Sequence, residues 1–302
     1  MSDTLAPIAL FAYNRPWHLK QTIESLRNNP SSRKSVLYCF SDAAKTSSEI
    51  ENVNKVRAML KNIEGFHRVY VIEREKNWGL ARSIIEGVSE VMEKHQKVIV
   101  LEDDLLLAPN FLDFMNDCLC KYEKSSHVFS ISAYLPPIKV NDLEEDVFLF
   151  PRCASWGWAS WQDRWQKADW QVKDFENFMQ DKRSRNMFEK GGNDMTVMLL
   201  KQQKGIIQSW AIRWAYAHFQ NKSFAIYPKY TKVKNIGIDG SGTNFDAKNT
   251  TKKYETQLET HSYLLPESIA WKPNMPIVER LRKFYNLSYF RKTINYFKFG
   301  IW

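Results

Sequence analysis

Residues 98–112 read VIVLEDDLLLAPNFL, and this stretch decides the predicted fold. It opens with the uncharged apolar run 98–101, which is rich in β-branched residues and typical of a strand in a parallel sheet covered on both faces. Glu102, Asp103 and Asp104 follow at the carboxyl end of that strand. Ligands bind at the carboxyl ends of strands in an open α/β sheet, so we expect a site there.

These three acids have two interpretations. Adjacent carboxylates repel one another unless a cation, solvent or hydrogen-bond donors hold them, and a hard divalent metal carrying a diphosphate is a common reason to assemble them. The alternative is a solvated acidic turn before the helix that Pro109 is expected to start. The buried strand before the acids and the Pro-led helix after them favour the metal site.

The first half of the chain alternates strands with helices. Strands are expected at 7–13, 35–42, 68–74 and 97–104, each followed by a helical pattern. This order indicates βαβ units and a parallel sheet. Neither G-x-G-x-x-G after the first strand nor G-x-x-x-x-G-K-[ST] occurs, which argues against a Rossmann dehydrogenase and a P-loop NTPase.

The second half is rich in tryptophan. Five tryptophans lie between residues 156 and 170, and stacking on a sugar or nucleobase is one use for them; a Trp-rich core is the other. Residues 234–245, KNIGIDGSGTNF, form a Gly-rich loop that is long enough to be an active-site loop or lid.

The net charge and the composition of the C-terminal residues indicate which kinds of partner the protein binds. The 302 residues carry 43 Lys and Arg against 34 Asp and Glu, a formal charge of +9 that suits an anionic partner such as a nucleotide, a phospholipid surface or a nucleic acid. Residues 280–302 contain no acid and interleave basic with aromatic residues, as in a helix on an anionic membrane surface. A nucleic-acid contact or a packed helix with a solvated basic face are alternatives.

Six motifs occur in an order that resembles glycosyltransferases of the GT-A fold. They are Y-N-R-P (13–16), S-D (41–42), N-W-G-L-A-R (77–82), L-E-D-D, S-W-G-W and S-W-A-I-R-W. The chain looks closest to bacterial sugar transferases related to the eukaryotic N-acetylglucosaminyltransferase I family. The resemblance implies an α/β fold with a mixed, mainly parallel sheet flanked by helices, followed by a basic aromatic helical tail.

The resemblance also implies a division of the chain. We expect a GT-A domain at 1–262, with a nucleotide-sugar-binding half at 1–135 and an acceptor-binding half at 136–262. Residues 263–302 are the expected tail. Without an apolar stretch of about 20 residues or a signal-peptide pattern, the expected location is the cytoplasm, peripheral to the inner face of the membrane.

Site roles follow from the same resemblance. Asp104 would bind a divalent cation, Mn2+ or Mg2+, and Asp103 would contact the metal shell or the ribose. Asp42 would accept from uracil N3 of a UDP donor, and Arg15 would hold the nucleotide. Arg82 would lie near the diphosphate or help order the acidic loop. The remaining expected donor contacts are Tyr13, Asn14, Glu102 and Trp158.

The catalytic base departs from the family pattern. An inverting transferase needs a carboxylate to take the proton of the acceptor hydroxyl. In the eukaryotic relative this base belongs to an acidic pair before a Trp, and that place falls here on Gln208 and Ser209. Asp194, which opens a helix, and Asp239, in the Gly-rich loop, are the substitutes, with Asp194 slightly preferred. A helix cap and a turn former are their structural alternatives, and a retaining mechanism stays open.

The expected function is therefore metal-dependent transfer of a sugar, from a UDP-sugar first of all, to a glycan or lipid-linked acceptor in cell-surface polysaccharide biosynthesis. No nucleic-acid partner is expected. A nucleotidyltransferase is the alternative enzyme, although FAYNRPWHLK (11–20) lacks the Gly-rich basic loop of that class. A non-catalytic carbohydrate- or nucleic-acid-binding module is the alternative outside enzymes.

Overall fold

The structure is a computed structural model that describes residues 5–240, 253–267 and 273–300. The predicted alternation of the first half is confirmed, and each strand ends within about two residues of its expected limits. Its elements are β1 (Ile8–Ala12), α1 (Pro16–Arg27), β2 (Val36–Ser41), α2 (Ile50–Lys61), β3 (Arg68–Glu73), α3 (Leu80–His95) and β4 (Lys97–Glu102).

The second half mixes short strands with helices. Its strands are β5 (Leu105–Leu107), β6 (Val128–Ser132), β7 (Val147–Phe150), β8 (Trp158–Trp161), β9 (Phe224–Pro228) and β10 (Val233–Asn235). Its helices are α4 (Phe111–Lys121), α5 (Gln162–Trp165), α6 (Phe175–Gln180), α7 (Lys182–Phe188), α8 (Met195–Gln203), α9 (Trp210–Gln220), α10 (Met275–Tyr285) and α11 (Tyr289–Phe299). Short 3-10 helices cover Pro30–Lys34, Ser47–Glu49 and Glu189–Gly191.

The strands form one large sheet and one small one. The large sheet has the order β3-β2-β1-β4-β8-β6-β9-β7. Strands β1 to β4 are parallel, β8 is antiparallel to both β4 and β6, and β7 is antiparallel to β9. The small sheet pairs β5 with β10. The acids at residues 102–104 therefore lie where the chain leaves the large sheet for the small one.

The large sheet is covered on both faces, as the apolar runs of its strands predict. Alternate residues of β4 point to opposite faces, so Ile99 and Leu101 join one core while Val98 and Val100 join the other. Helices α1, α2, α4 and α10 contribute to the first core, and α3, α8 and α9 contribute to the second. This mixed, mainly parallel sheet flanked by helices is the architecture expected from the sequence.

Four tryptophans form a cluster in the second core: Trp158, Trp165, Trp210 and Trp214. Trp158 lies between the rings of Trp210 and Trp165, with centroid distances of 5.0 Å and 5.4 Å, and Trp165 contacts Trp214 at 5.0 Å. Offset aromatic pairs at such distances add to the stability that buried apolar area provides. For these rings the core interpretation is the right one.

The described part of the expected tail contains two unlike helices. Helix α10 buries Ile277, Val278 and Leu281 in the first core, and Arg280 forms a bidentate pair with Asp142. Helix α11 instead keeps a row of exposed aromatic residues. In the described part of the chain, no helix is both long and apolar enough to cross a bilayer.

His218 is a fully buried polar residue that packs against Trp214 and Phe129 of the second core. Its Nδ1 lies 2.9 Å from the Trp214 carbonyl and its Nε2 lies 2.8 Å from Ser130 Oγ. A carbonyl only accepts, so Nδ1 carries the proton and Ser130 donates to Nε2. Burial lowers the pKa of His218 to about 4, and the imidazole is neutral at physiological pH.

This shift makes stability depend on pH. Below pH 6.5, His218 binds a proton in the unfolded chain but not in the folded chain. The free energy of unfolding therefore falls as the pH drops from about 6.5 toward 4. We expect His218 to lower the free energy of unfolding by about 2 kcal/mol between pH 6.5 and pH 5. Urea unfolding at both pH values should show a smaller loss for His218→Gln than for the wild type; equal losses would contradict the assignment.

Candidate active site

The acidic cluster is held from the side of β1 and α1. Thr22 Oγ1 donates to the Asp103 carbonyl at 2.9 Å and accepts from the Leu105 N–H at 3.1 Å. The Tyr13 N–H donates to Asp103 Oδ2 at 3.1 Å. Through these bonds the first turn and the first helix set the path of the chain through the acids.

Arg15 supplies the positive charge. Its Nη2 lies 2.5 Å from Asp103 Oδ1 and 2.8 Å from Asp104 Oδ2. Burial by itself would lower the pKa of Arg15, but the two carboxylates outweigh it and raise that pKa. The pKa of Asp103 is also raised, by burial and by Asp104 against the opposing effect of Arg15. The three side chains thus form one desolvated ionic group.

Glu102 is neutralised in a different way. Its burial, followed by the charges of Asp104 and Asp103, raises the pKa of Glu102 to about 8. At neutral pH this carboxyl is mostly protonated. The Arg15 guanidinium, in contrast, pairs with Asp103 and Asp104.

A loop after β10 closes over the acids. The Ile236 N–H donates to the Asp104 carbonyl at 2.8 Å, and the Gly237 N–H donates to Asn235 Oδ1 at 2.7 Å. A Cβ atom on Gly237 would lie 2.1 Å from Asp104 Oδ2 and 2.7 Å from Arg15 Nη1. Only glycine allows this close approach of the backbone to the ion pair.

The residues present fit a divalent cation. Asp104 Oδ1 is buried without a hydrogen-bond partner in the described residues, a costly arrangement that a cation would relieve. Those residues contain no group of three or more His, Cys, Asp or Glu side chains that could hold a metal. Asp104, with Asp103 beside it, would thus share the cation with phosphate oxygens and water, as Mg2+ sites commonly do.

Tyr13 and Asn14 use their side chains elsewhere. Tyr13 Oη donates to Glu49 Oε2 at 2.8 Å, and Asn14 Nδ2 donates to Glu49 Oε1 at 3.0 Å. Glu49 also forms a capping box with Thr46. The two side chains therefore connect the turn after β1 to the start of α2, while the Tyr13 N–H donates to Asp103.

Asp42 lies at the start of α3. Its carboxylate accepts from the N–H groups of Trp78 at 2.9 Å and Gly79 at 2.8 Å, a favourable place for an anion beside a helix N-terminus. The Arg82 guanidinium stacks 4.3 Å from the centroid of the Trp78 ring. Asp42 and Arg82 thus both contact Trp78, and we call this surface at the start of α3 the rim of the site. Both carboxylate oxygens of Asp42 accept from the backbone, and a further bond from uracil to Asp42 stays a prediction.

Trp158 is a correction to the expected donor contacts. Its side chain is 1% exposed, and it packs inside the tryptophan cluster rather than at the rim. Strand β8 lies between β4 and β6, and all four of its residues are buried. We therefore assign Trp158 to the core.

The two candidate bases have different surroundings. Arg152 binds both oxygens of Asp194, at 2.7 Å and 3.0 Å, and the Arg152 guanidinium stacks 4.0 Å from the Tyr285 ring centroid. Asp239 Oδ2 lies 3.1 Å from His18 Nε2, and Asp239 follows by two residues the glycine that contacts Asp104. Asp239 therefore lies on the loop over the acidic cluster, whereas Asp194 is the partner of a buried arginine.

Sequence reasoning missed three residues of this site. His18 and Thr22 are buried polar residues on the same face of α1 as Leu19 and Leu26. A polar pair four residues apart on an apolar stripe is a signal that sequence alone offers. Gly237 gave no such signal, since its glycine-rich loop indicates a turn without indicating what the backbone approaches.

Comparison with known proteins agrees with the motif order. The family model described as glycosyl transferase family 2 matches residues 8–184, more than half of the chain. No protein of curated function gives a significant match.

Several solved structures are similar to this chain. The mannosyltransferase PcManGT from Pyrobaculum calidifontis, in complex with GDP-Man and Mn2+, is 13% identical, with a TM-score of 0.42 over 72% of this chain and 70% of that one. The S. aureus TarS structure of residues 1–349 is 11% identical, with a TM-score of 0.35 over 54% of this chain and 49% of that one. A second S. aureus TarS structure is 12% identical, with a TM-score of 0.34 over 54% of this chain and 30% of that one.

The matched residues 8–184 run from β1 through α7 and include the acidic cluster with Arg15. The fold is the GT-A fold, and the chain belongs to glycosyl transferase family 2.

Proposed function

We propose that the protein transfers a sugar from a nucleotide-sugar donor to a glycan or lipid-linked acceptor and needs a divalent cation, Mn2+ or Mg2+, to do so. One observation carries the proposal. In a family 2 domain, the buried Asp104 carboxylate keeps one oxygen without a partner at the carboxyl end of the central strand. When bound there, the cation would offset the charge that develops on the departing diphosphate.

The chain's own residues have separate tasks. Asp104 and Asp103 would hold the cation, and the Tyr13 N–H and Arg15 fix the orientation of Asp103. The exposed Arg82 brings positive charge to the rim beside Trp78, where a nucleotide would meet it. A UDP-sugar remains the donor that we favour.

We place the base of an inverting reaction at Asp239. A general base must reach the proton that it accepts, and Asp239 lies on the loop that covers the acids. Asp194 is a weaker choice because the Arg152 guanidinium occupies both of its oxygens in a bidentate pair.

The first test is donor turnover. Asp104→Asn should lower cation-dependent nucleotide release from UDP-, GDP-, CMP- and dTDP-sugars at least about 100-fold, because the metal contributes several kcal/mol of charge stabilisation. Release and donor binding are measured by coupled assay and calorimetry, with Mn2+ and with EDTA. Glu64→Gln, which neutralises an exposed carboxylate, should behave as the wild type.

Two outcomes would contradict the proposal. Turnover that survives both EDTA and Asp104→Asn would exclude the cation. Failure of every donor to bind in the presence of Mn2+ would favour a non-catalytic carbohydrate-binding module.

The second test separates the carboxylates. Asp239→Asn should lower kcat by about 100-fold to 10,000-fold, the range for general-base catalysis, with little change in stability. Asp194→Ala should lower the free energy of unfolding by about 3 kcal/mol, because it leaves Arg152 charged and unpaired in a site where both side chains are only 14% exposed. Kinetics and urea unfolding of both variants check this; the reverse pattern would move the base to Asp194.

We further propose that α11 lies on an anionic membrane surface. Phe290 and Phe297 are 73% and 81% exposed, and Tyr289 and Tyr296 are exposed beside them. Lys298 is exposed on the same helix. Aromatic rings at the headgroup level together with basic residues favour anionic lipid. A lipid-linked acceptor would then be available next to the enzyme.

Vesicle flotation tests this surface. Replacing both Phe290 and Phe297 by Ala should weaken binding to vesicles with 30% phosphatidylserine at least about 10-fold, because two apolar rings no longer enter the interface. The matched control replaces Ile206 and Leu264, two exposed apolar residues outside α11, and should bind as the wild type. Equal loss in both double variants, or no wild-type binding, would contradict the proposal.

A further inference from the structure

Arg15 and a bound cation would compete for the same carboxylates. The guanidinium lies against Asp103 Oδ1 and Asp104 Oδ2, and the unpartnered oxygen is Oδ1 of that same Asp104. A dication on Asp104 Oδ1 would therefore stand beside the positive charge on Oδ2. The backbone of Gly237 packs against Asp104 Oδ2 and Arg15 Nη1, where a Cβ atom would not fit, so the guanidinium is enclosed beside this carboxylate.

We propose that Arg15 is a positioning residue that serves as an internal counter-ion, so that the divalent cation binds tightly only together with the diphosphate of the donor. This inference rests on the proposed function, since it takes a nucleoside diphosphate and a divalent cation as the ligands. It adds that the two ligands are energetically coupled through one arginine.

The charges of the site support the coupling. Without ligands, Asp103 and Asp104 share one guanidinium, which offsets one of their two negative charges. A dication that arrives alone adds positive charge next to Arg15 in a desolvated site, where like charges repel strongly. A dication that arrives with a diphosphate brings compensating negative charge, so the repulsion is relieved.

The geometry of the guanidinium allows the exchange. Both contacts to the carboxylates use Nη2 of Arg15. The planar group carries further N–H donors that suit phosphate oxygens, and arginine binds phosphate in a bidentate manner. Arg15 can thus turn from Asp104 toward a diphosphate while α1, through Thr22, keeps the acids in place.

The test measures cation binding rather than turnover. Free Mn2+ is followed by electron paramagnetic resonance during titration of the wild type, Arg15→Met and Arg15→Lys, each with and without UDP or GDP. Arg33→Met, which removes an exposed arginine from the 3-10 helix at Pro30–Lys34, is the matched control. Circular dichroism and thermal unfolding verify that each variant is folded, and Arg15→Gln replaces Arg15→Met if the latter is not.

We expect Arg15→Met to bind Mn2+ in the absence of nucleotide at least about 10-fold more tightly than the wild type, a change of about 1.4 kcal/mol. The nucleoside diphosphate should tighten Mn2+ binding strongly in the wild type and in the Arg33→Met control, and much less in Arg15→Met. Arg15→Lys keeps the charge and should keep the weak metal-only binding. A merely structural role for Arg15 would not produce a gain in affinity.

Failure of this inference is distinguishable from failure of the proposed function. If the wild type binds Mn2+ with nucleotide but Arg15→Met gains no metal-only affinity, the counter-ion role is wrong and the cation-dependent transferase stands. If the wild type binds no Mn2+ even with nucleotide, the cation dependence itself is wrong, and the counter-ion role falls with it.

Discussion

The repulsion between two desolvated carboxylates, Asp103 and Asp104, is the constraint on which the rest of the site depends. Acids at the end of a buried strand cannot turn to solvent, so the chain must supply donors or a cation. Arg15 and the Tyr13 N–H supply part of this compensation, and one Asp104 oxygen keeps none in the described residues. Among the described residues, one guanidinium therefore offsets only one of the two carboxylate charges.

The large sheet holds the two carboxylates close together. Strand β4 lies between β1 and β8, with a core on each face, so its end has little freedom to relax. The tryptophan cluster of the second core packs between the sheet and helices α3 and α9, and it buries large rigid rings there. A rigid scaffold with a charged edge holds catalytic groups more accurately than a mobile loop would.

The sequence predicts the features that depend on local pattern. Buried β-branched runs mark the strands, and the position of three acids directly after such a run marks the site. The contacts that complete the site join distant segments. His18 meets Asp239 across more than 200 residues, and Gly237 contacts Asp104, so no local spacing reveals either.

Two expectations show what residue type alone leaves open. A tryptophan in a dense aromatic segment suits both a sugar platform and a core, and only burial assigns Trp158 to the core. An aspartate at a helix start suits both a base and an ion pair, and Arg152, which lies some forty residues earlier in the chain, decides what Asp194 contacts. In both cases the missing information is the identity of a neighbour across the fold.

The most direct measurement of the central claim is an anomalous-difference map from crystals grown with Mn2+ and a nucleoside diphosphate. We expect one manganese peak in direct coordination with the Asp104 carboxylate, at about 2.2 Å, with phosphate oxygens on its other side. A bound nucleotide with no manganese at Asp104 would contradict the claim that Asp103 and Asp104 bind a cation and that this cation binds the donor diphosphate.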